Sequence, residues 1–140
     1  MVPDYERHPD ISATGHPNTG AAILRGMGID HEIVRAILSH ASEDTGIQPE
    51  SPLEKTLVAV DELTGFIVAV TLVRPSKSIL DVELKSIKKK WKDKAFAAPV
   101  NRAETERAAA RLGIGLDQHI QIVLNAMKGS AVRLGINGSA

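Results

Sequence analysis

The chain contains no cysteine in its 140 residues. This excludes disulfide bonds, thiolate metal sites and a cysteine nucleophile, and it is typical of a protein in a reducing compartment. The formal net charge is zero, with 17 basic and 17 acidic side chains. Because there is no net positive charge, the chain as a whole has no electrostatic basis for binding nucleic acid or an anionic membrane.

Aromatic residues are also scarce, at 3% of the chain, whereas hydrophobic residues make up 43%. The core must therefore be aliphatic, which favours helices packed on helices over a sheet. The most apolar run, Leu63 to Val73, is too short to span a bilayer and follows Asp61 and Glu62. The first ten residues are polar and do not resemble a signal peptide. We expect a cytoplasmic protein that makes no contact with a membrane.

Apolar residues recur with helical spacing, so the sequence predicts an all-α bundle of five to six helices. Pro17 suits the first turn of the first helix. Side chains that can cap a helix N-terminus precede four later helices: Asp30, Ser51 with Glu54, Asn101, and Asp117. The composition predicts an irregular lead-in over residues 1–15, one helical domain over 16–128 and a flexible tail over 129–140.

Three polar residues fall on otherwise apolar segments: His16, His40 and Asp61. Asp61 lies in the middle of a helix, about Leu53 to Val73, that is apolar nearly all round. We expect it to be buried and to need a partner, because an unpaired buried carboxylate is costly. Imidazole and carboxylate suit Mn, Fe, Zn or Ni, but hydrogen-bonded structural histidines and a salt-bridged aspartate would give the same pattern.

Five stretches together resemble the HD-domain superfamily of metal-dependent phosphohydrolases, in particular its small bacterial members. They are HPNTGAAIL (16–24), AILSHASE (36–43), EKTLVAVDELTGFIVAV (54–70), VRPSKS (73–78) and KKKWKDKAFAAPVNR (88–102). The similarity extends from about Asp4 to Met127. It implies an all-helical domain that hydrolyses a phosphate ester, often of a nucleotide, with one or two divalent metals (Mn, Fe, Zn, Ni or Mg).

Matched to the family's motif, Asp61 corresponds to its last metal-binding aspartate, and His16 and His40 to two histidines that hold a second metal. The implied partner is a small phosphorylated molecule. Lys77 could attract its phosphate, and so could Lys88 to Lys90, although these lysines also fit a solvated helix face.

The sequence departs from the family at its defining motif, because it contains no His-Asp dipeptide. The segment that follows this pair in the family corresponds here to Asp4 to Asp10, so we expect a member that lacks the first helices. Their loss predicts an incomplete metal site and doubtful activity. It also predicts an exposed apolar patch on the helix over Leu53 to Val73, which self-association would cover.

Two other functions are open. The chain could be a non-catalytic helical module that forms a homodimer, with the three polar residues as remnants. It could also bind nucleic acid through VELKSIKKKWKDK (82–94), which has six lysines against two acids. This segment lacks arginine and has Trp91 as its only aromatic residue, which disfavours binding of nucleic acid.

Overall fold

The computed structural model describes residues 15–138, and this part of the chain is helical, with an isolated bridge between Ser78 and Asn137 and no β-strand. The predicted all-α class is confirmed. Seven α-helices and one 3-10 helix form within that range: α1 (Asn18–Gly26), α2 (His31–His40), α3 (Ser42–Thr45), α4 (Pro52–Leu72), the 3-10 helix (Ile79–Asp81), α5 (Leu84–Trp91), α6 (Arg102–Arg111) and α7 (Leu116–Gly129).

The chain divides into two compact units, and the boundary falls within α4, between Val58 and Ala59. The single domain over 16–128 that the sequence suggests stays a prediction. Of the predicted lead-in, residues 1–14 lie outside the described residues, and Gly15 forms part of a turn.

In the first unit, α1 and α2 pack through a small core of Ala21, Val34 and Leu38. The predicted cap of α2 is confirmed, since Asp30 Oδ1 accepts a hydrogen bond of 2.8 Å from the amide of Glu32. Gly28, at φ +74°, ends α1 in a left-handed turn. A short helix of four residues, α3, follows α2 directly.

The start of α4 is fixed by a capping box. The amide of Glu54 donates to Ser51 Oγ at 3.2 Å, and Glu54 Oε2 accepts from the amide of Ser51 at 3.1 Å. Arg35 donates to Glu54 Oε1, and the amide of Glu50 donates to Glu54 Oε2 at 2.6 Å. These donors lower the pKa of the Glu54 carboxyl to about 2, although its side chain is almost fully buried.

The second unit has an aliphatic core built mainly from α4, α5 and α7. Phe66 lies at its centre, with its ring centroid 4.9 Å from Trp91 and 5.5 Å from Phe96 in edge-to-face geometry. Ile87 and Trp91 of α5 point into this core. The other large buried side chains are Leu63, Ile67, Val70, Ile79, Val82, Ile120, Val123, Leu124 and Met127.

The connection between α5 and α6 is organised around Arg102. Its guanidinium donates to the main-chain oxygens of Trp91 and Asp93, both at 3.0 Å, and to that of Phe96. It also lies 5.0 Å from the ring centroid of Phe66. The α6 cap is as predicted, because the amide of Glu104 donates to the Asn101 side chain at 3.0 Å.

Two terminal features differ from the sequence prediction. Asp117 does not cap the last helix, because α7 begins at Leu116 and its N-cap is Gly115, two residues before Asp117. Residues 129–138, predicted as part of a flexible tail, fold onto the second unit. There Ile136 is 6% exposed, and its carbonyl accepts a hydrogen bond of 2.8 Å from the amide of Ile79. The bond pairs the Ile79 amide and the Ile136 carbonyl, neither of which has a partner within a helix, and it accompanies burial of the Ile136 side chain.

Candidate metal centre

His16 and His40 are in contact. The Nε2 atoms of the two imidazoles lie 3.1 Å apart, and the ring centroids are 5.1 Å apart at an interplanar angle of 82°. His16 precedes α1, beside a cis peptide bond to Pro17, whereas His40 is the last residue of α2. Both rings are half-buried. The structure therefore brings together two of the three residues that the sequence selects.

A backbone carbonyl orients the His40 ring. Nδ1 of His40 is hydrogen-bonded to the main-chain oxygen of Ile37. Since a carbonyl oxygen only accepts, Nδ1 of a neutral His40 carries the proton. Its Nε2 atom is then the acceptor of the 3.1 Å hydrogen bond between the two rings, and Nε2 of His16 is the donor. Metal-binding histidines commonly show this arrangement, with the second nitrogen donating to a carbonyl.

The spacing of the two nitrogens fits two ligands of one divalent transition ion. Nitrogens bound at about 2.1 Å lie about 3.0 Å apart when the two bonds are at right angles, and about 3.4 Å apart in a tetrahedron. The observed separation of 3.1 Å is closer to the first value. A separation of 3.1 Å is also that of an ordinary hydrogen bond, so it selects no particular metal.

Asp61, the third candidate, lies on α4 in the second unit, and its side chain is exposed. The expectation of a buried carboxylate is therefore wrong. Gly65, one turn further along α4, is exposed as well, so a solvent-facing stripe runs through this apolar helix. Within residues 15–138 the Asp61 carboxylate makes no ion pair. The main-chain oxygen of Asp61 accepts a hydrogen bond of 2.8 Å from Thr64 Oγ1.

No group of three or more His, Asp or Glu side chains is arranged to hold a metal ion within residues 15–138. The geometric candidate in this range therefore consists of the two imidazoles.

The lysines considered for phosphate binding differ in their surroundings. Lys77 is exposed in the turn after α4, in a left-handed conformation at φ +48°. Lys88 forms an ion pair with Asp117, and the Lys90 ammonium lies 4.6 Å from the ring centroid of Phe96. Lys89 is exposed. Two of the three lysines from 88 to 90 thus have structural contacts that account for them.

Sequence reasoning missed the surface beside the Arg35 side chain. A depression of about 400 Å³ is lined by Arg25, His31, Arg35 and Glu50, among others. Arg35 is paired with Glu50 at 3.3 Å and with Glu54, so its charge is already largely balanced. The sequence does carry a signal for the pairing of Arg35 with Glu54. Glu54 is the glutamate of the capping box of α4, and Arg35 lies on α2, the preceding helix of more than one turn.

The chain matches no protein-family model, no curated protein and no solved structure. Within residues 15–138, no helix combines the length and the apolar character that crossing a bilayer requires.

Proposed function

We propose that this chain is a metal-dependent phosphohydrolase-like domain of the HD type, in which His16 and His40 bind a divalent transition ion. The single observation that carries the proposal is the 3.1 Å contact between their Nε2 atoms. The Ile37 carbonyl supports it, because a proton held on His40 Nδ1 leaves Nε2 as the nitrogen that can bind an ion when the ion replaces the hydrogen bond between the two rings.

The chemistry that follows is hydrolysis of a phosphate ester. A bound divalent ion polarises a phosphoryl oxygen and lowers the pKa of water. The contribution of the chain's own residues is to hold two imidazoles at fixed separation, with one ring oriented by a carbonyl. Since the sequence has no His-Asp pair, we expect hydrolysis by the chain alone to be slow or absent even when an ion is bound.

The test is metal binding by calorimetry after removal of bound ions with a chelator. Mn²⁺, Ni²⁺ and Zn²⁺ are each titrated into the wild type and the variants His16→Ala, His40→Ala and His31→Ala. His31 is a matched control because it is an exposed histidine at the start of the same helix, α2. Each of the two site variants should lose at least about tenfold in affinity, whereas His31→Ala should not.

Asp61→Asn tests the third ligand that the family resemblance implies. If the Asp61 carboxylate binds the same ion, this variant should weaken binding in the same experiment. Hydrolysis of a chromogenic phosphate monoester is then measured with each ion that binds. A wild-type chain that takes up none of the three ions would refute the proposal.

A second candidate function is a non-catalytic module that self-associates. Exposed apolar side chains just after α1 and on α2 favour it, with Met27 at 62% and Ile33 at 48% exposure. The exposed apolar residues of α4 lie at its two ends, Leu53 and Leu72, rather than along its length. The mass of the chain in solution, measured with and without metal ions, separates the two functions. A self-associating module should be a dimer in both conditions, and His40→Ala should leave the dimer unchanged.

A further inference from the structure

Two arginines of the second unit are half-buried, and their guanidinium groups are satisfied very differently. Arg102 donates to several main-chain oxygens of the connection after α5. The guanidinium of Arg74, in the turn after α4, makes one hydrogen bond, from Nη1 to Ser86 Oγ of α5 at 3.5 Å, and no ion pair with any residue from 15 to 138. A good N–H···O bond is about 2.9–3.0 Å long, so this contact is weak.

The Nε atom of Arg74 has no partner. It is shielded from solvent, and none of the residues that the structure describes accepts a hydrogen bond from it. Native structures keep few buried donors of this kind, because an unpaired donor is destabilising, and more so on a charged group. Arg74 as a whole is half-buried rather than sealed in the core. An acceptor that comes from outside the chain can therefore reach the guanidinium.

The surroundings of Arg74 carry an excess of positive charge. The exposed carboxylate of Glu83 is paired with Lys85 at 2.6 Å. The pKa of Glu83 is lowered, mainly by this hydrogen bond, and the charges of Lys128 and Arg74 contribute, which places both cations near the same carboxylate. Neither Arg74 nor Lys128 forms an ion pair within the described part of the chain. Two cations of this cluster are thus left for an anion from solution.

The chemistry of these groups selects the kind of anion. The Nε–H and one Nη–H of a guanidinium lie along one edge and match two oxygens of a carboxylate or a phosphate. Two unpaired cations match the charge of a phosphate dianion better than that of a single carboxylate. We infer that Arg74, Ser86 and Lys128 form a binding site for a phosphate group, either as the free ion or as part of a monoester. All three residues belong to the second unit, so this inference does not depend on metal binding at His16 and His40.

The test follows the Nε–H signals of the arginines by NMR in the ¹⁵N-labelled, full-length chain. Arg74→Lys identifies the Arg74 signal by its loss. Inorganic phosphate and phenyl phosphate are each titrated against sodium chloride at equal ionic strength. Both phosphates should move the Arg74 signal in a saturable way, whereas the Arg102 signal, whose donors are already satisfied, should stay in place. A response to inorganic phosphate alone would assign the site to the free ion.

Variants that change charge test the cluster by calorimetry with inorganic phosphate. Arg74→Gln should weaken binding at least about tenfold, since it removes the fork of charge-assisted donors. Lys128→Gln should weaken it about threefold, as expected of a partly exposed charge. Arg111→Gln is the matched control, because Arg111 is an exposed arginine of the same unit that is paired with Glu104, and it should bind phosphate as the wild type does.

Glu83→Gln gives a prediction of opposite sign. It removes the carboxylate that competes with phosphate for the same cations, so the affinity should rise about threefold. The Glu83 side chain is 59% exposed, so this variant should fold even if circular dichroism shows that Arg74→Gln does not. Glu43→Gln, which removes an exposed carboxylate from the first unit, should leave the affinity unchanged.

Three results would overturn the phosphate site. The first is an Arg74 signal that neither phosphate moves, or that chloride moves equally. The second is an equal loss of affinity in Arg74→Gln and Arg111→Gln. The third is weaker or unchanged binding in Glu83→Gln. A chain that binds phosphate in this way but takes up no metal ion would refute the proposed function and leave the phosphate site intact.

Discussion

Arg102 Nε donates a hydrogen bond of 3.0 Å to the main-chain oxygen of Trp91, and the same guanidinium lies 5.6 Å from the Trp91 ring centroid. One side chain therefore holds both the backbone and the ring of the last residue of α5. Its remaining donors reach the carbonyls of Asp93 and Phe96. The connection from α5 to α6 takes its shape from this arginine, since it has no regular secondary structure of its own.

Replacing Arg102 by lysine should destabilise the second unit by about 2–4 kcal/mol, because an ammonium cannot reproduce the planar fork and leaves carbonyls without donors. Urea unfolding followed by fluorescence of Trp91, the sole tryptophan, measures this directly. Arg107→Lys is the matched control, because Arg107 forms an exposed pair with Glu104 and should cost less than about 1 kcal/mol. Equal losses in the two variants would contradict the role assigned to Arg102.

The Glu54 carboxyl should make the first unit sensitive to acid. Its pKa is about 2 in the folded chain, with the Arg35 hydrogen bond as the largest cause, against an ordinary value of 4.5. The unfolded state therefore takes up the proton first as the pH falls. The stabilisation from this group is fully present above about pH 4.5 and is lost progressively down to about pH 2.

The measurement is the melting temperature across that range for the wild type and for Glu54→Gln. The glutamine can still accept from the amides of Glu50 and Ser51 but carries no charge to titrate. We expect a lower melting temperature at neutral pH and a shallower decline in acid than in the wild type. Glu43→Gln, an exposed substitution on α3, is the control. Parallel curves for the wild type and Glu54→Gln would argue against the pairing with Arg35.

Gly138 should be needed for the C-terminal segment to dock. A Cβ at this position would lie 2.8 Å from both the Ser76 oxygen and Ser78 Cβ, at a φ of +81°. Gly138→Ala should therefore speed hydrogen exchange of the Ile79 amide, which donates to Ile136. Gly135→Ala is the control, because φ is +66° there but a Cβ would meet nothing within 4 Å. Gly135→Ala therefore carries the conformational cost of a left-handed residue, about 1–2 kcal/mol, without a steric clash. If the Ile79 amide exchanged at the same rate in the two variants, this would count against close packing at Gly138.

Local chemistry in the sequence predicted the helix starts well. The side chains of Asp30, Ser51 and Asn101 cap helices as expected, because a cap depends on residues within one turn of each other. The prediction for Asp117 was wrong by two residues: it lies in the first turn of α7 rather than at the N-cap, and an acidic residue is favoured at either place. The docking of Ile136 beside Ile79 joins distant parts of the chain, and no spacing rule reveals such a contact.

In the candidate site, too, contacts between residues far apart in the sequence are harder to predict than local ones. The contact between His16 and His40 joins residues 24 positions apart, and no local spacing predicts it; the family resemblance was what implied that the two side chains meet. Asp61 was expected to be buried because its helix is apolar nearly all round. Which stripe of such a helix stays exposed depends on its tertiary neighbours, and periodicity cannot show this when almost every position is apolar.

The arginine at the start of α6 has a consequence for how the chain tolerates change. Arg102 binds main-chain oxygens of the connection after α5, and these oxygens are present whatever side chains the connection carries. The exposed positions Lys92, Lys94, Ala95 and Ala98 can therefore vary freely while the connection keeps its path. A random library at these four positions should retain most of its members in folded form, while a library at Arg102 alone should retain few.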